Sequence, residues 1–350
     1  MDVVTIAVTT LGSPMLVFFL LGVVFAALAR DLQMPPAFSR VLAALLLFGI
    51  GVKGGAAIGT VGFGPDVATA IAAGVALSVA MTALAFYALR ASVSLNTVDA
   101  AALAAHYGSI SIVTFGTMTV VLLAKGIAFD GWMMALAAMM ELPAVLTALV
   151  LARFAVQPAP AETAGLQGGV AVAGGGRLAL GGGDGGRSML ETCLKALGDR
   201  GLHLLLGAFA LGWLAALVGA DWKLDVQYGL FPAVLCIFML DQGLFLGRRL
   251  LRLVRRFDPR LALFAVMMPL VGGALGLITG AALGMAAGNV ALLATLAASA
   301  SYLAAPAVTR AALPGARPEI YLTFPLCLTL PFNLIVGLPL YLAGALWLAH

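Results

Sequence analysis

The sequence predicts an all-α polytopic membrane protein of about ten transmembrane helices, arranged as a 5+5 inverted repeat in which helices 4 and 9 are broken. Three observations lead there. Of the 350 residues, 63% are hydrophobic and 10% charged, with a mean hydropathy of +1.10, far from the composition of soluble domains. Apolar runs of about 20 residues, enough for a helix to cross roughly 30 Å of hydrocarbon, recur along the chain without the ten-residue alternation of barrel strands. Helix-breaking and hydroxyl residues fall in corresponding runs of the two halves.

The first half, residues 1–156, holds expected spans at 14–30, 36–52, 66–90, 97–124 and 131–153. Its opening, "MDVVTIAVTTLGSP", carries an acid where a cleavable leader has a basic region, so the first run reads as a retained helix. Residues 157–190 break the pattern with proline and then glycine runs and read as a cytoplasmic linker. Its "GGGD" (181–184) matches the Gly-x-Gly-Asp of intramembrane aspartyl proteases only superficially, because that aspartate has to lie inside a membrane helix. The second half, residues 191–350, holds spans at 200–219, 230–247, 260–287, 289–312 and 319–347.

Charge orients the chain. With both termini outside, all but three of the 19 lysines and arginines fall on the inner side, the outer three being Lys53, Lys125 and Lys223. That asymmetry is the positive-inside rule. It also accounts for the net charge of +4 without a nucleic-acid surface. The basic run "LGRRLLRLVRRFDPR" (246–260) suits lipid headgroups. Cys193, Cys236 and Cys327 have no paired spacing, which points away from a disulfide or metal site.

Five spans per half require the second half to insert upside down, as in many secondary transporters. "LAAHYGSISIVTF" (103–115) lines up with "LAASASYLAAPAV" (296–308), and "ELPAVLTAL" (141–149) with "TLPFNLIVG" (329–337). "FGIGVKGG" (48–55) ends the second span and "FMLDQG" (238–243) takes its place in the other half. Glycines 272, 276, 280, 284 and 288 recur every four residues and predict one flat packing face on the eighth span.

Breaks in two membrane helices leave orphan N–H groups at one half-helix and orphan carbonyls at the other. In lipid these are costly, so they should face a protein-lined site. Half-helix N-termini, with the hydroxyls of Ser109, Ser111, Thr114, Ser299 and Ser301 beside Gly108 and Tyr302, can hold a small anion without a buried cation. Carbonyls with nearby hydroxyls suit sodium. Each hydroxyl has an alternative role, bonding to the preceding turn or a neighbouring helix. Glu141, Asp99 and Asn333 are the candidates for cation coupling, with helix capping as the other reading of Asp99 and helix packing that of Glu141. Asp241 reads as the partner of an arginine, and His106 as a cavity-lining, pH-sensing or packed histidine.

The segments 13–35, 49–58, 97–115, 139–153 and 297–318, in this order and over nearly the whole chain outside the linker, resemble the sodium-dependent bicarbonate transporters of cyanobacteria and their wider bacterial relatives. The resemblance implies a multi-pass protein of the bacterial inner membrane, a core domain rocking against a gate domain, and bicarbonate imported by symport with sodium. It also implies a homotrimer and a cytoplasmic PII-like regulatory partner. Gly108, Ser111 and Thr114 match the first broken-helix motif, and Ser299, Ser301, Pro306 and Arg310 the second. Tyr302 stands where cyanobacterial members carry an acid. The alternatives are another small monocarboxylate, proton coupling through Glu141 or His106, and a passive anion channel. An intramembrane enzyme would need a nucleophile with a base or a metal set, and neither HExxH nor a nucleophile elbow is present.

Overall fold

The computed structural model describes residues 12–29, 32–62, 64–155, 200–219, 230–255, 258–301, 305, 309, 313 and 315–348. The expected linker and Tyr302 lie outside the described residues. All regular structure among the described residues is helical: α1 (Pro14–Leu28), α2 (Pro36–Val61), α3 (Pro65–Ala88, running on as a π turn to Val93), α4 (Thr97–Gly108), α5 (Ile112–Ala124), α6 (Met133–Ala155), α7 (Arg200–Leu217), α8 (Leu230–Arg255), α9 (Pro259–Ala282), α10 (Ala287–Ala298) and α11 (Pro318–Leu348). α11 contains π turns at 325–329 and 333–337. Seven helical stretches are long and apolar enough to cross a membrane, α4 and α5 together forming one of them. The other three expected spans coincide with shorter apolar helices, Pro14–Leu28, His203–Leu217 and Ala287–Ala298.

Proline begins α1, α2, α3, α9 and α11, where its missing N–H is one that the helix leaves orphaned anyway. α2 runs on to Val61, nine residues past its expected end at 52. Lys53 therefore sits inside a helix and not in an outer loop, its charge having read as a boundary that the apolar "AAIGTV" beyond it overrides.

The helices pack as two sets. In one, α1 lies against α8 and α2 against α7, and glycines let the backbones touch. A Cβ on Gly55 would fall on the Phe209 carbonyl and one on Gly212 on that of Val52; Gly22 and Gly243 meet the Leu240 and Phe19 carbonyls in the same reciprocal way. In the other set, α4 packs on α3 and α6, while α10 packs on α9 and α11. Only part of the expected glycine stripe on α9 is real. Gly272, Gly276 and Gly280 do face Ala297, Ala294 and Val290. Gly284 instead forms the turn after the helix, with φ of 64°, and Gly288 belongs to α10, where it abuts the Ala128 carbonyl.

This packing shields the polar runs. Every residue from Asp99 to Thr119 and from Gly288 to Ser301 is buried, whereas α1, α2 and α7 present exposed apolar side chains such as Val24, Leu45 and Leu214. Hydroxyls and broken backbone face protein, and apolar side chains are left for lipid.

Candidate functional site at two crossing helix breaks

α4 ends at Gly108, and Ser109 to Ser111 are non-helical before α5 begins. Ser111 caps α5: its hydroxyl oxygen accepts from the Thr114 N–H (3.1 Å) and the Thr114 hydroxyl (2.9 Å). α10 ends at Ala298, followed by extended backbone at Ser299. Ser301 Oγ accepts from the Ala305 N–H at 3.4 Å, an arrangement similar to the Ser111 cap.

The two breaks cross and bond to each other. The Ser301 N–H donates to the His106 carbonyl (2.8 Å). In the opposite sense, the Ser111 N–H donates to Ser299 Oγ (2.8 Å), whose proton goes on to the Leu296 carbonyl (2.8 Å). Ser109 and Ser299 each directly follow the last residue of their helix. Their hydroxyls differ: that of Ser299 bridges the crossing, whereas Ser109 Oγ is buried with no hydrogen-bond partner among the described residues. His106 Nε2 and Thr309 Oγ1 share that condition.

Supporting groups hold the helix ends. Ser78 Oγ reaches the Gly108 carbonyl (2.9 Å) and the Met140 carbonyl (2.7 Å), joining α3, α4 and α6. The Tyr107 hydroxyl lies 2.6 Å from Thr329 Oγ1, which donates to the Ala265 carbonyl at 2.8 Å. That carbonyl sits one turn before Pro269, which has no N–H to offer it. Asn333 donates to the Ala298 carbonyl (2.9 Å) and accepts from the Tyr341 hydroxyl (2.9 Å). Sequence reasoning missed Ser78, Tyr107 and Thr329; for Thr329 the signal available was Pro269, whose vacated carbonyl at Ala265 calls for a donor.

The candidates thus separate. Gly108, Ser109, Ser111, Thr114, Ser299, Ser301 and Asn333 converge at the crossing. Thr117, Thr119 and Thr295 bond back to the preceding turn of their own helices. Glu141 is buried on α6, next to Met140. Asp241 is buried on α8 beside Gln242 and within the field of Arg248, in the other helix set.

Asp99 lies at the far end of α4, nine residues or about 14 Å of helix from Gly108. There it accepts from Asn96 Nδ2 (2.6 Å), the Arg317 N–H (2.7 Å) and Arg317 Nε (2.7 Å). At the start of α10, Asn289 donates to the Asp130 carboxylate (2.6 Å) and accepts from the Asp130 N–H (2.9 Å). Each broken helix is therefore tied at its start to the loop that leads into the last helix of the other half.

Neither 99–119 nor 288–301 contains a lysine or arginine. An anion at the crossing would be held by hydroxyls, backbone N–H groups and the N-terminal ends of half-helices, and the carbonyl ends of α4 and α10 offer oxygen to a hard cation. Among the described residues, no group of three or more His, Cys, Asp or Glu is placed to hold a metal.

A search of curated proteins finds no match. The family model described as the Na+-dependent bicarbonate transporter superfamily matches residues 14–346. With nearly its whole length matched, and with two broken helices crossing inside a bundle of apolar ones, the chain belongs to the Na+-dependent bicarbonate transporter superfamily.

Proposed function

We propose that this protein is a symporter importing bicarbonate with sodium across the bacterial inner membrane by alternating access, with the anion held where the two helix breaks cross. The observation that carries the reading is the reciprocal pairing of the breaks, Ser301 to His106 and Ser111 to Ser299, beside buried polar atoms with no partner among the described residues. Leaving such groups unsatisfied costs about 1–3 kcal/mol each, so a ligand that bonds to them is favoured there.

Ten crossings in a 5+5 inverted repeat, with both termini outside, fit the reciprocal helix pairs α1 with α8 and α2 with α7, and the exchanged ties of Asp99 and Asn289. In this reading α1, α2, α7 and α8 form the gate and the remaining helices the core that carries the site. Sodium would take the carbonyl ends of α4 and α10 near Asn333; Asp99, with its oxygens engaged by Asn96 and Arg317, serves the architecture. A sodium ion beside the anion neutralises its charge before the site passes the low-dielectric core, which makes the two loads depend on each other.

The test is radiolabelled bicarbonate uptake into proteoliposomes with and without an inward sodium gradient at clamped membrane potential. Sodium-dependent accumulation supports the symporter. Flux that runs equally without sodium would replace it with a channel, and accumulation driven by a proton gradient alone would replace the coupling ion.

A further inference from the structure

The ring of His106 is fully buried at the last turn of α4. Its Nδ1 is 2.5 Å from the Ser301 carbonyl, while its own backbone carbonyl accepts the Ser301 N–H. A carbonyl can only accept, so Nδ1 carries the proton and the neutral ring has a bare lone pair at Nε2. The tautomer is thus set by the partner break itself. Tyr321 stacks on the ring at 5.4 Å between centroids and fixes its plane.

That lone pair has no donor among the described residues. Three residues on, at the same helix end, Ser109 Oγ is also buried and unpartnered. One orphan can only accept; the other, a hydroxyl, can donate. A ligand that satisfies both has to present a hydrogen-bond donor beside an acceptor oxygen. Bicarbonate does so, with one O–H and two anionic oxygens. Nitrate and formate carry the same charge on a small planar frame and have no O–H.

We propose that His106 is a specificity-determining residue, whose Nε2 accepts the hydrogen bond of the bicarbonate hydroxyl while Ser109 Oγ donates to one of its oxygens. The assignment rests on the reading of the crossing as the bicarbonate site. Against a proton-free oxyanion, the Nε2 lone pair faces an oxygen lone pair, so the site rejects the anion by repulsion as well as by the missing bond.

The test measures sodium-driven uptake of radiolabelled bicarbonate in proteoliposomes, with nitrate and formate as competitors. In the unaltered protein, the inhibition constants of both should exceed the bicarbonate KM by about tenfold or more. His106→Asn places its amide nitrogen where Nδ1 stood and so keeps a donor to Ser301, but has nothing at the place of Nε2. It should raise the bicarbonate KM about tenfold and, by removing the repelling lone pair, lower the nitrate constant. His106→Gln puts an amide oxygen near the Nε2 place and should retain most of the discrimination. Nitrate competing as well as bicarbonate in the unaltered protein would overturn the assignment without recourse to a variant, and is also what a charged imidazolium would give. Equal increases in both constants for His106→Asn would overturn it in favour of a purely positioning role. Absence of sodium-dependent bicarbonate uptake in the unaltered protein would remove the transport reading, and this assignment with it.

Discussion

Ser109 and Ser299 occupy corresponding places after the two helices, yet the structure gives their hydroxyls opposite roles, and replacing each by alanine should separate architecture from binding. Ser299 Oγ accepts from the buried Ser111 N–H at 2.8 Å and donates to the Leu296 carbonyl at 2.8 Å. Ser299→Ala removes this bond from a buried N–H, a loss of about 1–3 kcal/mol. In a detergent melt this should lower the midpoint by roughly 2–6 °C. Ser109 Oγ has no such partner, so Ser109→Ala removes a buried unsatisfied group and should leave the midpoint unchanged or raise it, by at most the equivalent of about 1–3 kcal/mol. Its effect should fall on the substrate: loss of a hydrogen bond to a charged ligand, about 1.5–3 kcal/mol, raises the bicarbonate KM roughly tenfold or more. Melting in detergent and uptake kinetics on the same two preparations decide it. Equal destabilisation by the two variants, or an unaltered KM for Ser109→Ala, would refute the distinction.

Other variants probe the frame around the crossing. Asp99→Ala strands Asn96 Nδ2 and the Arg317 N–H together and should cost about 2–4 kcal/mol, seen as poor monodispersity after solubilisation; Arg317→Ala, whose side chain is 60% exposed, should cost about 1 kcal/mol or less. Gly108→Ala would drive a Cβ onto Thr82 Oγ1 and to 2.8 Å from the Ser78 carbonyl. It should destabilise by about 1–3 kcal/mol, with partial recovery in melting midpoint when Thr82→Ala is added. Tyr107→Phe removes the hydroxyl from Thr329, which keeps its bond to the Ala265 carbonyl, so a loss near 1 kcal/mol and slower uptake are expected.

Helix locations were legible because apolar runs report burial in lipid or protein directly, and the polar run within 103–115 marked a break because glycine and clustered hydroxyls interrupt an otherwise apolar span there. Partners were not legible. Ser111 meets Ser299 across 188 residues and His106 meets Ser301 across 195, separations at which local pattern carries no information. Lys53 misled because a lysine within α2 resembles a helix end when read along one strand of text. Gly284 misled because a glycine that forms a turn and one that packs a helix look alike until φ is known.

The exchanged ties also set a clock. Asp99 cannot meet Arg317 until 218 further residues have been made, and at about 5–20 residues per second that is roughly 10–45 s of synthesis. Over the same stretch of synthesis the Asp130 loop waits 159 residues for Asn289, and Ser111 waits 188 for Ser299. The groups that brace the second break from the last helix, Asn333 and Tyr341, are made later than any of these partners.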